Sequence, residues 1–228
     1  METEVVPGGP AALAERAAVW LADEIWAAVT ARRVAHVAVS GGSTPTVMFE
    51  VLAGLPVPWD RVHVWQVDER VAPDGDPDRN ASTLDAVLLS KVGATPHLFD
   101  VTNPDLDAAT AAYAAAIRTE CDGVFDVVHL GVGPDGHTAS WPPGDPVIDV
   151  TDSDAARCRE FNGYVRLTLT VPAVNRARAV MFEIAGPDKA PVVVKLVEGR
   201  TGFPASRVRR EGTLVLLDET AAADLPPN

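Results

Sequence analysis

The chain has 228 residues, is 47% hydrophobic and carries a formal net charge of −13 at pH 7. Length alone permits one domain or two small ones, with apolar content ample for a core, and the acidic balance argues against a surface built to grip a nucleic-acid backbone, which needs a positive face. No apolar run approaches the ~18 residues of a membrane span, METEVVPGGP lacks the pattern of a secretory leader, and Cys121 and Cys158 make neither a disulfide framework nor a metal set.

The expectation is therefore a cytoplasmic protein. Residues 11–30 are alanine-rich, with Leu13, Ala17, Trp20, Leu21, Ile25 and Ala28 at helical spacing. That predicts an amphipathic helix, ended by Arg32 and Arg33. Residues 34–39 predict a short buried strand running into Ser40, Gly41, Gly42, Ser43, Thr44 and Pro45. Ser43 or Thr44 is the expected N-cap of the next helix, with Pro45 first inside it and Gly54 closing it. Free amides at such a helix start form an anion site suited to phosphate. An ordinary tight strand-to-helix turn fits the same residues as well. No Lys follows as a P-loop requires.

Residues 62–67 alternate as a second strand and end in Asp68, Glu69 and Arg70. Three charges there are costly to bury unpaired. They form either a surface corner of salt bridges or a substrate-facing acid with a cation for an anion. A turn-rich loop over 72–79 follows, then a helix capped by Asn80 or Ser82 and running to about Gly93. Residues 97–101 are a weak strand, and 105–119 an alanine-rich helix.

The stretch FDVVHLGVGPDGHTASWPPG, residues 125–144, organises the chain. An apolar strand breaks at Gly131, Gly133 and Gly136 and delivers Asp135 and His137 into the turn. GVGPDG matches the dinucleotide fingerprint G-x-G-x-x-G by letter. It fails by context, because Pro142 and Pro143 leave no room for the helix that fingerprint opens. A solvated loop is expected over 145–160, a strand with one polar face over 165–171, a short turn over 172–176 and a strand over 179–185. Asp188 is the expected cap of a helix with Lys189 in its first turn. A last strand over 214–217 precedes a frayed tail, 221–228. His36, His63, His97 and His129 lack ligand spacing and are expected to be packed or surface side chains. No G-x-S-x-G elbow is present.

Alternating strands and helices predict a single α/β domain over 1–228, ordered from about 10 to about 218. It is Rossmann-like and doubly wound: a mostly parallel twisted sheet with helices on both faces. The loops 40–44, 68–70, 131–137 and 186–189 would share the rim at the carboxyl ends of the strands.

SGGSTPT at 40–46, DER at 68–70 with Pro73 and Asn80 after it, LGVGPDGHTAS at 130–140, RLTLT at 166–170 and GPDK at 186–189 occur in that order. The set, spanning nearly the whole chain, resembles the 6-phosphogluconolactonase family. Amino-sugar phosphate deaminases and isomerases share part of it. They carry a tyrosine where this chain has Arg70, and F-N-E-P after G-H where this chain has T-A-S-W. Trp141-Pro142-Pro143 departs from the Leu-Phe-Pro common in lactonases, a change that could alter the pocket wall.

The resemblance implies hydrolysis of 6-phospho-D-glucono-1,5-lactone to 6-phosphogluconate, in the oxidative pentose phosphate pathway. The expected partner is a small sugar-phosphate lactone, with no cofactor, metal, nucleic acid or membrane, and the expected state is a cytoplasmic monomer or a weak homo-oligomer. His137 is the expected general base, because imidazole titrates near working pH. Asp135 or Asp68 orients it or holds sugar hydroxyls. Arg70 and Lys189, with the backbone of Gly41, Gly42, Ser43 and Thr44, would hold the phosphate. The amides of Gly131, Gly133 and Gly136 are candidate oxyanion donors. The alternatives are an amino-sugar phosphate deaminase or isomerase, and a non-catalytic sugar-phosphate sensing domain.

Overall fold

A computed structural model describes residues 1–226. In chain order its strands are β1 (Glu2–Val6), β2 (Ala35–Val39), β3 (Val62–Gln66), β4 (Asp68–Arg70), β5 (Thr95–His97), β6 (Val127–Leu130), β7 (Ala155–Phe161), β8 (Tyr164–Leu169), β9 (Ala179–Ile184) and β10 (Thr213–Asp218). Its helices are α1 (Gly9–Arg32), α2 (Ser43–Ala53), α3 (Asn80–Val87), α4 (Leu106–Cys121), α5 (Val171–Asn175) and α6 (Ala190–Val197).

Seven strands pair in parallel in the order β1-β10-β9-β6-β2-β3-β5. Alternation sorts their side chains between two cores. Val37, Val64, Val127 and Met181 face α1, α2 and α3, against Leu21, Ile25, Met48, Phe49 and Leu84. Ala38, Trp65, Val128 and Phe182 face α4, α5 and α6, against Tyr113, Ile117, Val174 and Val193. Strands covered on both faces show as continuous apolar runs, which is why residues 34–39 and 125–130 were legible. From β2 the chain winds one way to β3 and β5, and from β6 the other way to β9 and β10. The winding reverses between β2 and β6, and a crevice opens at such a reversal beyond the carboxyl ends of the strands.

Several expectations are corrected. Residues 145–160 are not a solvated loop. They hold a short turn of helix, Pro146–Asp149, and strand β7, with Ala155, Ala156 and Cys158 buried. β7 joins β8 and β4 in a three-stranded antiparallel sheet. Val67 ties the two sheets together: its amide donates to Val39 O and its carbonyl accepts from Leu169 N, at 2.9 and 2.7 Å. So Asp68, Glu69 and Arg70 are not the end of β3 but a strand of the second sheet. β1 was not foreseen. The weak strand forms at Thr95–His97 rather than 97–101. The tail is not frayed through 221–226: Ala221 is buried and donates its amide to Asp218 at 2.7 Å. Residues 227 and 228 lie outside the described residues.

Two helix starts also differ. Gly42, not Ser43 or Thr44, is the residue before α2, at φ 121°. A backbone there favours glycine. Ser43 and Thr44 become the first two helical residues, and Pro45 the third. Asp188 does not cap α6. Its carboxylate pairs with Lys189 Nζ at 2.8 Å, and Lys189 holds the cap position.

Candidate active site

Four loops meet at the crevice. A cavity of about 270 Å³ is lined by Ser40–Pro45 after β2, by Asp68 and Arg70 of β4, by Gly131–Pro134 and His137–Ala139 after β6, and by Lys189 before α6. The shared rim expected from the sequence is present. Arg166 of β8, Asn80 of α3 and Glu183 of β9 also line it, and sequence reading had assigned them no role there.

The glycine loop after β6 is shaped around its histidine. Asp135 Oδ1 lies 2.5 Å from His137 Nδ1 and 3.2 Å from the His137 amide. A carboxylate that accepts from Nδ1–H fixes the tautomer and leaves Nε2 free to take a proton. Burial pushes the Asp135 carboxyl up, but the hydrogen bonds from the His137 ring and backbone outweigh it and hold it below its ordinary value. Gly133 is required by proximity: a Cβ there would sit 2.1 Å from two atoms of the His137 ring. No helix follows Gly136, so the dinucleotide geometry is absent.

The oxyanion expectation is narrowed. The Gly133 amide donates to His137 O at 2.8 Å, and the Gly136 amide to Gly133 O at 2.9 Å. Those donors close the loop and do not face a ligand. The Gly131 amide is in no such bond within the loop. Open space surrounds the point where its Cβ would stand.

Asp68 and Asp135 are now distinguishable. Asp68 is buried and accepts from Ser140 Oγ at 2.5 Å, with Arg166 Nη1 3.8 Å away. It holds Ser140 and Arg166, and it is Asp135 that holds the histidine. Glu69 is fully buried and turned away from the cavity lining. Its carboxylate accepts the amides of Arg70, Asn80 and Ala81 and the Gln66 side-chain amide, at 2.7–2.8 Å, with Arg79 Nε at 3.7 Å. It therefore supplies the acceptor that caps α3, whose cap position is held by Arg79 and not by the expected Asn80 or Ser82. Asn80 instead donates through Nδ2 to Asp68 O at 2.9 Å and packs so closely on Gly41 that a Cβ there would lie 2.1 Å from its Oδ1.

Three cations, Arg70, Arg166 and Lys189, line the cavity beside the carboxylates of Asp68 and Glu183. Arg70 and Arg166 sit opposite each other in the antiparallel pair of β4 and β8. Like charges so placed repel, and an anion between them relieves the repulsion. Arg70 also donates to Asp78 O. Burial, opposed by the Asp68 charge and reinforced by Arg70, draws the Arg166 guanidinium below its ordinary value. Lys189 and the unpaired amides of Ser43 and Thr44 at the positive end of α2 complete a cationic side.

Trp141 does not shape the pocket wall. It is fully buried, and its Nε1 donates to Leu169 O at 2.7 Å, pinning the loop after β6 to β8. His129 faces the α2 side, edge-on to Phe49, with Nε2 3.1 Å from Glu183 Oε2. His36, His63 and His97, expected singly to be packed or surface groups, form one cluster: His36 is tilted against His63, His63 stacks on His97 and His97 on Trp65, and none of them lines the cavity.

Three comparisons bear on this geometry. Residues 9–216 match the family profile described as glucosamine-6-phosphate isomerases/6-phosphogluconolactonase. A 6-phosphogluconolactonase of Synechocystis sp. is 33% identical, over 94% of this chain and 95% of that protein. One of Streptomyces coelicolor is 35% identical, over 94% and 91%. The crystal structure of a 6-phosphogluconolactonase from Thermotoga maritima superposes with a TM-score of 0.85 at 26% identity, covering 95% of this chain and 99% of the other.

Proposed function

The chain belongs to the glucosamine-6-phosphate isomerase/6-phosphogluconolactonase family, and from that footing we propose how its cavity opens a lactone ring. The activity is hydrolysis of 6-phospho-D-glucono-1,5-lactone to 6-phosphogluconate. The observation that supports the following roles is that the Asp135–His137 pair and the cations Arg70, Arg166 and Lys189 serve one cavity.

Arg70 and Lys189, with the Ser43 and Thr44 amides, grip the phosphate. Arg offers two parallel donors and Lys a point charge. Anchoring the far end of the substrate fixes the carbonyl beside His137 and removes part of the entropic barrier. His137 Nε2 takes a proton from water as its oxygen bonds to the lactone carbonyl carbon. The carbonyl oxygen becomes an oxyanion, met by the Gly131 amide and Arg166. When the tetrahedral centre collapses, the ring C–O bond breaks. The leaving oxygen takes the proton from the imidazolium, and the open acid results. Asp68 accepts a sugar hydroxyl and steadies Arg166.

In this reading residues 1–228 act as one lactonase domain, a cytoplasmic monomer on a free small molecule, with no metal or cofactor in the step and no nucleic-acid partner. Support comes from the charge of −13 and from the absence, among the described residues, of any helix long and apolar enough to cross a membrane. The test is loss of 6-phosphogluconolactone above its spontaneous rate, with His137→Ala removing most of the gain. No acceleration, or preferential release of ammonia from glucosamine 6-phosphate, would sink it.

A further inference from the structure

One aromatic ring touches two groups that the reaction uses and has no role in the chemistry above. Phe161 ends β7. Its ring centroid lies 4.9 Å from that of His137, at an interplanar angle of 73°. The guanidinium carbon of Arg166 stands 5.2 Å over the same ring.

Neither neighbour is otherwise fully held. Asp135 fixes one nitrogen of His137, and among the described residues no hydrogen bond reaches the other. Arg166 is only 6% exposed, yet its Nε has no partner, and its one carboxylate is 3.8 Å away. A cation over an aromatic face is attracted by the ring quadrupole, the more so where water is excluded. An edge-on aromatic pair is favoured by the same quadrupole.

The ring itself is well anchored. Asn162 and Gly163, at φ 51° and 82°, form a two-residue turn between Phe161 and its partner Tyr164. Turns with both residues left-handed match the twist of a hairpin and fix its register. Tyr164 Oη donates to Asp78 Oδ2 at 2.6 Å, and Asp78 O accepts from Arg70. The hairpin tip thus leans on His137 and Arg166 through one residue and on the segment holding Arg70 through another.

We propose that Phe161 is a positioning residue: one ring, fixed by the β7–β8 turn, that holds the His137 imidazole and the Arg166 guanidinium at a set separation on either side of the lactone carbonyl. The proposal rests on the lactonase roles given above for those two groups. A ring that merely filled space would be replaced without loss by leucine. A positioning ring is replaced only by another ring.

The test compares Phe161→Leu and Phe161→Tyr with the parent, by lactone hydrolysis and by ¹⁵N NMR of the His137 ring without ligand. Phe161→Leu is expected to lower kcat about tenfold, since a displacement near 1 Å can cost up to ~10²-fold. It should also raise KM severalfold and broaden or shift the His137 ring signals. Phe161→Tyr should restore all three. Parent-like kcat and ring signals in Phe161→Leu would overturn the proposal, as would a Phe161→Tyr variant no better than Phe161→Leu. A parent without lactonase activity would overturn the proposed function instead. The ring signals alone would then decide on Phe161. If Phe161→Leu fails to fold, Phe161→Met takes its place with the same expected outcomes.

Discussion

His137 Nδ1 lies 2.5 Å from Asp135 Oδ1, two residues back in the same glycine loop. In the proposed mechanism the carboxylate orients the ring and stabilises the imidazolium formed when Nε2 takes a proton. Asp135→Asn keeps the shape and loses both effects. It is expected to lower kcat by roughly 10²-fold with KM little changed, and His137→Ala by more, within the ~10²–10⁴ that a positioned general base supplies. Initial rates corrected for spontaneous hydrolysis measure both. A large rise in KM with kcat intact would contradict the assignment.

Gly133 and Gly131 make a steric pair of opposite sign. A Cβ at Gly133 meets the His137 ring at 2.1 Å, whereas one at Gly131 meets nothing within 4 Å. Gly133→Ala should therefore displace the ring and cost about 10²-fold in kcat/KM. Gly131→Ala keeps its amide and should retain activity within severalfold unless the lactone itself needs that space. Equal activities in the two variants would break the link between Gly133 and the histidine.

Arg70 and Lys189 line the same cavity from β4 and from the start of α6. A grip on phosphate acts alike in ground and transition states, so Arg70→Ala should chiefly raise KM. A charge-assisted hydrogen bond is worth about 1.5–3 kcal/mol, which corresponds to roughly 10- to 100-fold. Lys189→Ala should follow the same pattern. A loss of kcat at constant KM would place these cations at the carbonyl end instead.

The parts that were legible share a cause. β2, β3, β6 and β9 are buried on both faces, so each appears as an apolar run. Gly133, Asp135 and His137 stood out only in company: an isolated D-G-H fits a solvated turn better, and it is the other strand-end motifs of the chain that weigh against that reading. β7 was missed because its exposed Arg157, Arg159 and Glu160 resemble a loop, and β1 because it is an edge strand with Glu2 exposed. Arg166 was overlooked as a site residue although the polar alternation of β8 carried the signal. The cap of α2 and the spent amides of Gly133 and Gly136 depend on backbone angles and loop hydrogen bonds, which residue types do not specify.

Of the three charges at 68–70, Glu69 is the structural one. It is fully buried, away from the cavity, and caps α3 through the amides of Asn80 and Ala81. Removing one partner from a buried charged network costs about 3–5 kcal/mol. Glu69→Ala should therefore lower Tm by roughly 10 °C, at about 2–4 °C per kcal/mol for a chain of this size. The folded fraction should keep a KM near the parent's. An unchanged Tm with lost activity would move Glu69 into the chemistry.

His63 Nδ1 lies 2.8 Å from His97 Nε2, and His97 stacks on Trp65 with ring centroids 3.7 Å apart. Burial first, then the neighbouring His63 and His36, pushes the His97 imidazole down to about 4. Burial and His63 lower His36 as well, against the opposing charges of Asp126, Glu120 and Asp122. An unfolded histidine titrates near ~6.5. Between that pH and about 4 the unfolded chain binds protons that folded His97 refuses. Stability must then fall as pH falls through this window, and the contribution is fully present above it. His97→Phe keeps the stack on Trp65 and removes the titration. Thermal melts from pH 7.5 to 4 should show a shallower loss for His97→Phe than for the parent, and parallel curves would remove the cluster from any account of acid lability.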